Sequence, residues 1–496
     1  MMAVLKINEK DNVAVALAAL KRGQTIEFAG GAIAPLEDIA AGHKIALKDI
    51  GQAEEVIKYG FPIGRAKRRI RAGCWVHEHN LETGLGPIMQ YEYRPVPVKL
   101  EIRDSGKTFS GYRRQNGQVG VRNEIWIIPT VSCVNRIAEL IAERARREIK
   151  GLENIDGIYE FKHPYGCSQT GEDQLATQKL LAGLVNHPNA AAVLVIGLGC
   201  ENNHVEAFQE VLGDYDGDRV KFMVAQEVED EIAAGRALVD RLLSYARQFK
   251  RTPCPVSALV AGLKCGGSDG FSGITANPLA GVFSDMLVSH GGSTILTEVP
   301  EMFGAETLLM ERALNRDVFE KIVRLINDFK EYYISYGQPV YENPSPGNRR
   351  GGITTLEEKS LGCTQKGGSS AVVDVLDYGE RISKKGLNLL SAPGNDMVAG
   401  TALAAAGCQL ILFTTGRGTP LGTCVPTVKI ATNSTLYRNK PQWIDFNAGQ
   451  LLEGETMPEL AAELWDYVME VASGQLTGSE KMGFREIAIF KSGVTL

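Results

Sequence analysis

The sequence predicts an α/β protein in which a small β-rich module and an extended linker precede domains built on a parallel sheet. Three observations carry this expectation. From residue 111 onward, apolar runs of strand length alternate with amphipathic helical patterns, the arrangement that buries a parallel sheet between helices. Residues 1–90 show short β-like runs punctuated by Gly and Pro, with few long helical patterns. Between them, 91–110 carries Pro95 and Pro97 in the stretch EYRPVPVKLEIRDSGKTFS and has no helical period, as expected of an extended linker.

In the module, Asp11 is placed to cap a short helix through Leu20, and strands follow at Thr25–Gly30, Lys44–Ile50 and Glu55–Gly60. Beyond the linker, Glu124–Pro129 (EIWIIP) reads as a strand. The next segment puts Ile137, Leu140, Ile141, Ala145 and Ile149 on one helical face, with Glu139, Glu143 and Arg146 outside it. A strand is expected at Gly157–His163, a helix at Glu172–Val185 and a buried strand at Ala191–Ile196. A helix to about Leu212 and a charged helix over Glu227–Phe249 come next. Arg251–Val256 (RTPCPV) reads as a second boundary, giving units at 1–90, 91–110, 111–250 and 251–496. The last unit offers strands at Ala258–Gly262, Thr294–Thr297 and Leu410–Thr415, with helices ending near Ser289 and Tyr333. Thr456 and Glu459 form a capping-box pattern for a final long helix, with Pro458 in its first turn.

Composition removes several function classes. A chain of 496 residues can bury a large core without disulfide or metal staples. A net charge of −6 argues against a nucleic-acid partner. No apolar run approaches the ~18 residues of a membrane helix. The start, MMAVLKINEKDN, lacks an apolar signal core, and the nine cysteines are odd in number and scattered. Together they predict reduced thiols and a cytoplasmic protein. The 54 glycines cluster in loops, where backbone must come close to something.

Those loops hold the candidate chemistry. His77 and His79 form H-x-H-N; on a strand both rings would share a face and reach one ion, and iron, manganese and zinc all accept imidazole. Gly197-Leu198-Gly199-Cys200-Glu201-Asn202-Asn203 joins a buried strand to a helix start, where free amides favour an anion. It departs from G-x-G-x-x-G at Asn202, which speaks against a dinucleotide. Lys264-Cys265-Gly266-Gly267-Ser268-Asp269-Gly270 combines a thiol, a hydroxyl and a carboxylate in a mix suited to a metal or a polyol. In Gly416-Arg417-Gly418-Thr419-Pro420, Arg417 is placed to grip a carboxylate with two hydrogen bonds, while Leu421 replaces the third glycine of a dinucleotide loop. Cys133, Cys167, Cys200, Cys265, Cys363 and Cys408 all fall at or beside turns. Either three or four converge on iron or an iron–sulfur cluster, or they are inert buried thiols.

Long, unusual words in this chain resemble the altronate/galactarate dehydratase family. They include GHKIALKDI, VHEHN, VGVRNEIWIIPTVSCVN, YGCSQTGED, VLVIGLGCENN, CGGSDGFSGITANP, TEVPEMFGAE, GGITTLEEKSLGCTQK and TTGRGTP, and the likeness runs over essentially the whole chain. The wording and length favour the altronate branch. The resemblance implies a hydro-lyase of hexuronate catabolism that converts D-altronate to 2-dehydro-3-deoxy-D-gluconate. It implies divalent iron, with manganese as a substitute, and sensitivity to oxidation; the scattered cysteines leave an iron–sulfur cluster open beside that. It also implies an N-terminal β-clip (SAF-like) domain, a linker, a middle α/β domain used in dimerisation, and a C-terminal variant Rossmann-like domain. Such a sheet does not imply a nucleotide.

On this reading His77 and His79 are the first candidates for the ion, with Cys265 and Asp269 as partners. Arg417 takes the substrate carboxylate, with Arg122 and Lys429 next in line. Asn202, Ser268, Thr419 and Glu201 face the polyol, and His163, Lys366 and Glu201 are the acid/base candidates. The expected partners are a small sugar acid and a second copy in a homodimer, with neither nucleic acid nor membrane. The N-terminal module is expected to act as a lid. Galactarate dehydration, a nucleotide-dependent oxidoreductase and a non-catalytic carbohydrate-binding protein are the competing readings.

Overall fold

Alternation of β-branched, apolar runs with amphipathic segments builds two parallel sheets in the computed structural model, which describes residues 3–496 apart from 29, 87, 99–105, 150 and 152. The N-terminal module comes first. Its strands β1 (Val13–Ala16), β2 (Lys44–Ala46), β3 (Glu55–Lys58), β4 (Phe61–Ala66) and β5 (Trp75–Val76) are short and antiparallel. β1, β2 and β5 lie side by side, with Val4–Leu5 on the outer edge, while β3 and β4 pair with Leu81–Glu82. The helix expected from Asp11 to Leu20 does not form. VAVA is β-branched and buried on both faces, so it pairs as β1. Asp11 instead closes turns, accepting from the Asn8 amide at 3.0 Å and the Gly60 amide at 2.8 Å.

The chain then runs along the main body. Tyr91 donates to Glu306 at 2.5 Å, and the Val96 amide donates to the Glu311 carbonyl at 2.8 Å. Extended structure ends earlier than expected, because β6 (Thr108–Arg113) already pairs antiparallel with β11 (Arg251–Pro255). The segment RTPCPV is therefore an ordered strand rather than a loose connection.

Between these two strands lie β7 (Glu124–Pro129), α1 (Asn135–Glu148), β8 (Gly157–Glu160), α2 (Gly171–Val185), β9 (Ala190–Gly197), α3 (Val205–Leu212), β10 (Val220–Val224) and α4 (Glu231–Ala246). The parallel sheet has the order β8-β7-β9-β10. β9, AAAVLVIG, is buried at every position, as a strand covered on both faces must be. α3 and α4 start later than the sequence predicts. His204 and Asp230 cap them, accepting from the backbone amides of Ala207 and Ala233.

The larger sheet contains β12 (Val260–Cys265), β13 (Ser293–Leu296), β14 (Val372–Leu376), β15 (Leu387–Leu390), β16 (Leu410–Thr415), β17 (Thr427–Ala431) and β18 (Phe446–Asn447), all parallel, in the order β14-β15-β13-β12-β16-β17-β18. Helices α5 (Ala276–Ser289), α6 (Arg316–Ser335), α7 (Leu356–Cys363), α8 (Asp396–Ala405) and α9 (Met457–Ala472) accompany it. At α9 the Thr456 hydroxyl donates to Glu459 at 2.5 Å, but it accepts no amide, so only part of the expected capping box forms. No helix among the described residues is long and apolar enough to cross a membrane.

The module is seated on this second sheet's C-terminal side by charge and by close backbone contact. Glu358 of α7 is buried between Lys44 and Lys58 of the module, at 2.8 Å from each ammonium. A Cβ on Gly270 would lie 1.9 Å from the Gly42 carbonyl oxygen, and one on Gly352 would lie 2.3 Å from the same atom. Burial alone would raise the Glu358 pKa, but the two lysines outweigh it and hold it at about 2. A carboxylate depressed in this way stabilises the docked state above its ordinary range near pH 4.5. The contribution is lost as pH falls from there towards 2. The module is expected to loosen across that interval, measured by limited proteolysis after residue 85. Glu358→Gln, which leaves two buried ammoniums sharing no anion, should loosen it at neutral pH at a cost of roughly 3–5 kcal/mol.

Candidate active site

The C-terminal ends of β12 and α7, with the 3-10 turn Val299–Met302, bring Cys265, Cys363 and Glu301 to one buried point. Cys265 Sγ lies 3.4 Å from Cys363 Sγ and 3.0 Å from Glu301 Oε2, and Cys363 Sγ lies 3.2 Å from that same oxygen. Lys366 donates to Cys265 Sγ at 2.9 Å, and Lys359 pairs with Glu301 at 2.7 Å. The hydrogen bond with Cys363 and the nearby Lys366 pull the Cys265 thiol down, and Cys363 is pushed up by the same bond and by burial. The cluster is thus read as a Glu301 carboxylate held low by Lys359 and Lys366 against burial, with Cys265 the more readily ionised thiol and Cys363 the one that keeps its proton.

The backbone supports this arrangement. Glu298 is a non-glycine residue at φ 70°, a left-handed conformation retained only where its surroundings impose it. Its carboxylate accepts from the Cys265 amide at 2.9 Å and pairs with Lys264 at 3.1 Å, and Lys264 also pairs with Asp396 at 2.7 Å.

A cleft of about 1120 Å³ opens above the cluster. Its floor includes Cys265, Glu301, Lys359 and Asp396. The facing wall is the docked module, through His43, Trp75, His77 and Glu78, and a third side is the segment from Asn348 to Arg350. Trp75 donates to His43 Nδ1 at 3.1 Å, and His43 Nε2 reaches the Arg350 carbonyl at 3.3 Å. Lys44 donates to Thr354 Oγ1 at 2.9 Å, and that hydroxyl meets His77 Nδ1 at 2.8 Å. The Thr354 hydroxyl thus fixes the His77 ring through Nδ1, and Nε2 lies 3.7 Å from Glu78 Oε2. Burial, and next Lys44, pushes His77 down to about 4, which keeps it neutral at physiological pH.

Of the sequence candidates, Cys265, Lys366 and His77 come together here, but not as expected. Lys366 is a buried ammonium held by Cys265, its pKa raised by the two cysteines against the effect of burial, so it cannot serve as a base. His79 is exposed beside the Trp75 ring at 5.1 Å and does not line the cleft. The chain turns after β5, so the same-face argument for a strand does not hold. Asp269 is buried and does not line the cleft. It accepts from Thr432 at 3.0 Å and from the Phe271 amide at 3.1 Å, tying two loops together. Ser268 is buried beside it, outside the cleft. Arg417 leaves β16 with its side chain exposed, and neither it nor Thr419 lines the cleft; the Thr419 hydroxyl accepts from the Leu421 amide at 3.2 Å.

Three further candidates hold the fold. Arg122 is fully buried, bound by both oxygens of Glu480 at 2.8 and 3.0 Å and by the Val121, Val471 and Gln475 carbonyls. His163 lies against the Pro129 carbonyl at 2.8 Å, accepts from the Tyr165 amide and is pushed down to about 4 by burial. Glu201 fills its own loop, accepting from Thr130 at 2.8 Å and from the amides of Leu198 and Gly199 at 2.9 and 2.6 Å. The anion expected at that loop is thus the chain's own carboxylate. Asn202 accepts from the Ser168 amide at 2.9 Å and lies on the middle sheet, not in the cleft. Lys429 is buried within β17, also outside the cleft. The residues missed were Glu301, Cys363 as a partner of Cys265, His43, Asp396 and Arg350.

Sequence comparison agrees with this architecture. The sequence model described as "Altronate/galactarate dehydratase SAF domain" matches residues 2–84. "D-galactarate dehydratase/Altronate hydrolase, second domain" matches 111–247, and "D-galactarate/Altronate dehydratase, C-terminal" matches 256–495. The chain belongs to the altronate/galactarate dehydratase family. It is 56% identical over 495 residues to the altronate dehydratase of Escherichia coli strain K12, covering 100% of both chains. It is 56% identical over 497 residues to that of Bacillus subtilis strain 168, again over 100% of both. To the galactarate dehydratase (L-threo-forming) of Escherichia coli strain K12 it is 35% identical over 510 residues, 98% of this chain and 96% of the other.

The geometry separates folding from chemistry in a testable way. Arg122→Ala leaves Glu480 buried with a lost partner and should cost roughly 3–5 kcal/mol. Because the guanidinium is remote from the cleft, kcat/KM of the folded fraction should stay near wild type. Thermal unfolding together with active-site-normalised kinetics checks both halves of this expectation.

Proposed function

We propose that this protein is a metal-dependent dehydratase that converts D-altronate to 2-dehydro-3-deoxy-D-gluconate. The observation carrying this reading is the Cys265–Glu301–Cys363 group at the floor of a polar cleft, in a chain 56% identical along its whole length to altronate dehydratases. Its two sulfurs and one carboxylate oxygen lie within 4.8 Å of one another, a donor set that suits divalent iron; manganese as a substitute rests on the family resemblance. Binding would displace the proton on Cys363, leaving the two lysines to balance the added anionic character.

When bound, the ion would supply Lewis-acid stabilisation of the negative charge that develops when C2 of an aldonate is deprotonated. The chain's own groups define the rest. Arg350, on the cleft wall with no ion pair among the described residues, takes the C1 carboxylate. Asp396, whose side chain is 35% exposed and anchored through Lys264, is the oxygen base placed to accept the C2 proton. His77 turns its ring to the C3 hydroxyl and orients it, and the proton that Asp396 takes from C2 is returned to that hydroxyl, which leaves as water; Trp75 and the docked module limit access of bulk water.

Two experiments test this. A ferrous, anaerobic preparation should form a 2-keto-3-deoxy product from altronate and should turn over galactarate more slowly. Exhaustive chelation should abolish activity, and full activity with no metal by elemental analysis would refute the proposal. In steady-state kinetics, Arg350→Ala should lower kcat/KM by roughly 10- to 100-fold, the worth of a charged hydrogen bond. Arg417→Ala should stay near wild type, and the reverse pattern would return the carboxylate to Arg417. Asp396→Asn should abolish turnover while substrate still binds.

A further inference from the structure

The six turn cysteines do not form one group. Cys265 and Cys363 belong to the cleft, and Cys408 is fully buried. The remaining three are exposed, and the topology assembles them elsewhere. Cys133 follows β7, Cys167 follows β8 and Cys200 follows β9. These are three adjacent parallel strands in the order β8-β7-β9, so the cysteines occupy neighbouring loops at one end of one sheet.

The loops are fastened to one another. The Ser132 amide donates to the Tyr165 carbonyl at 2.9 Å, and the Asn203 amide donates to the Gly166 carbonyl at 3.0 Å. The Asn203 side chain donates to the Thr130 carbonyl at 3.0 Å. A Cβ on Gly166 would lie 2.0 Å from the Thr130 oxygen, so glycine is what lets the Cys167 loop press onto the Cys133 loop. Two of the sulfurs already accept hydrogen bonds, Cys167 from the Ser168 hydroxyl at 3.8 Å and Cys200 from the Gln226 amide group at 3.6 Å. Donors to a ligand sulfur tune what that sulfur holds. The nearby carboxylate of Glu201 is consumed by its own loop, which leaves sulfur as the ligand chemistry offered.

We propose that Cys133, Cys167 and Cys200 hold an iron–sulfur cluster of the cubane type, with three irons on these thiolates and the fourth open to a non-protein ligand. The spacing favours a cluster over a single ion. Thiolates sharing one tetrahedral ion at ~2.3 Å must lie within about 4.6 Å of each other. Among the described residues only Cys265, Glu301 and Cys363 gather three donors within 4.8 Å. Cys133, Cys167 and Cys200 form no such group, so they do not offer one ion three close thiolates, whereas a cluster takes one thiolate on each of three irons. This site is independent of the reading of the cleft.

The full chain, incubated anaerobically with equal amounts of ferrous and ferric iron and with sulfide and then desalted, tests the proposal. It should retain iron and acid-labile sulfide, show the broad visible absorption of a thiolate-ligated cluster, and protect these three cysteines from alkylation. The Cys133→Ser/Cys167→Ser/Cys200→Ser variant, whose changes are at exposed positions, should keep its circular dichroism and lose the sulfide, the absorption and the protection. Cys265→Ser/Cys363→Ser should retain all three signals, whatever becomes of its turnover. Absence of labile sulfide from the wild-type chain would overturn the proposal. So would undiminished sulfide in the triple variant, or zinc held by the three thiols without sulfide.

Discussion

One carboxylate between two ammoniums determines whether this molecule has a cleft at all. Glu358 sits at 2.8 Å from Lys44 and from Lys58, and all three side chains are buried. Charges removed from water are tolerated only when paired with good geometry, and this pairing exists only when the module is seated. Seating brings Trp75, His77 and Glu78 over the floor formed by Cys265 and Asp396. The same Lys44 ammonium that meets Glu358 also donates to Thr354, which fixes the His77 ring. The joint and the orientation of a cleft residue are therefore one hydrogen-bonded system. The lid expected from the sequence is present as a docked wall rather than a free flap.

Charge economy also explains the interior of the cleft. Two lysines reach Cys265 and Glu301 from behind, while Lys264 is divided between Glu298 and Asp396 and lies 4.1 Å from the Phe413 ring centroid. Helix α7 organises much of this in a few residues. Lys359 and Cys363, four apart, share a face turned to the cluster, while Glu358 faces the module. Removing either lysine would leave an anion unbalanced in a low-dielectric pocket, so the ammoniums are as much part of the site as the thiols.

The parallel-sheet architecture was legible because its signals are local. EIWIIP and AAAVLVIG can hardly be other than buried strands, and the face of Ile141 and Ala145 on α1 carries a clear helical period. The site was only partly legible. Cys265 stood out because its loop is dense in glycine, yet Glu301 and Cys363 join it from 36 and 98 residues away, a convergence no spacing rule encodes. Arg122, His163 and Glu201 stood out for the opposite reason: polar residues beside strand ends look chemical, and here they satisfy buried backbone and carboxylates. The glycines of the Lys264–Gly270 loop read as a place for close approach to a ligand. Gly270 does make a close approach, but to the backbone of Gly42.

The seam between module and body is made of parts complete on each side: a pair of lysines and a bare glycine backbone on one, a carboxylate and two glycines on the other. Each half carries its own hydrophobic core, with Ala305, Leu308 and Leu361 of the body reaching into that of the module. Recognition is therefore encoded in surfaces and not in chain connectivity. The covalent tether raises the effective concentration of one half near the other, and among its described residues Tyr91 and Val96 bond the body through Glu306 and Glu311. A polypeptide of this design can be divided at the tether into two genes without redesigning the joint, provided the halves meet at concentrations above their mutual dissociation constant.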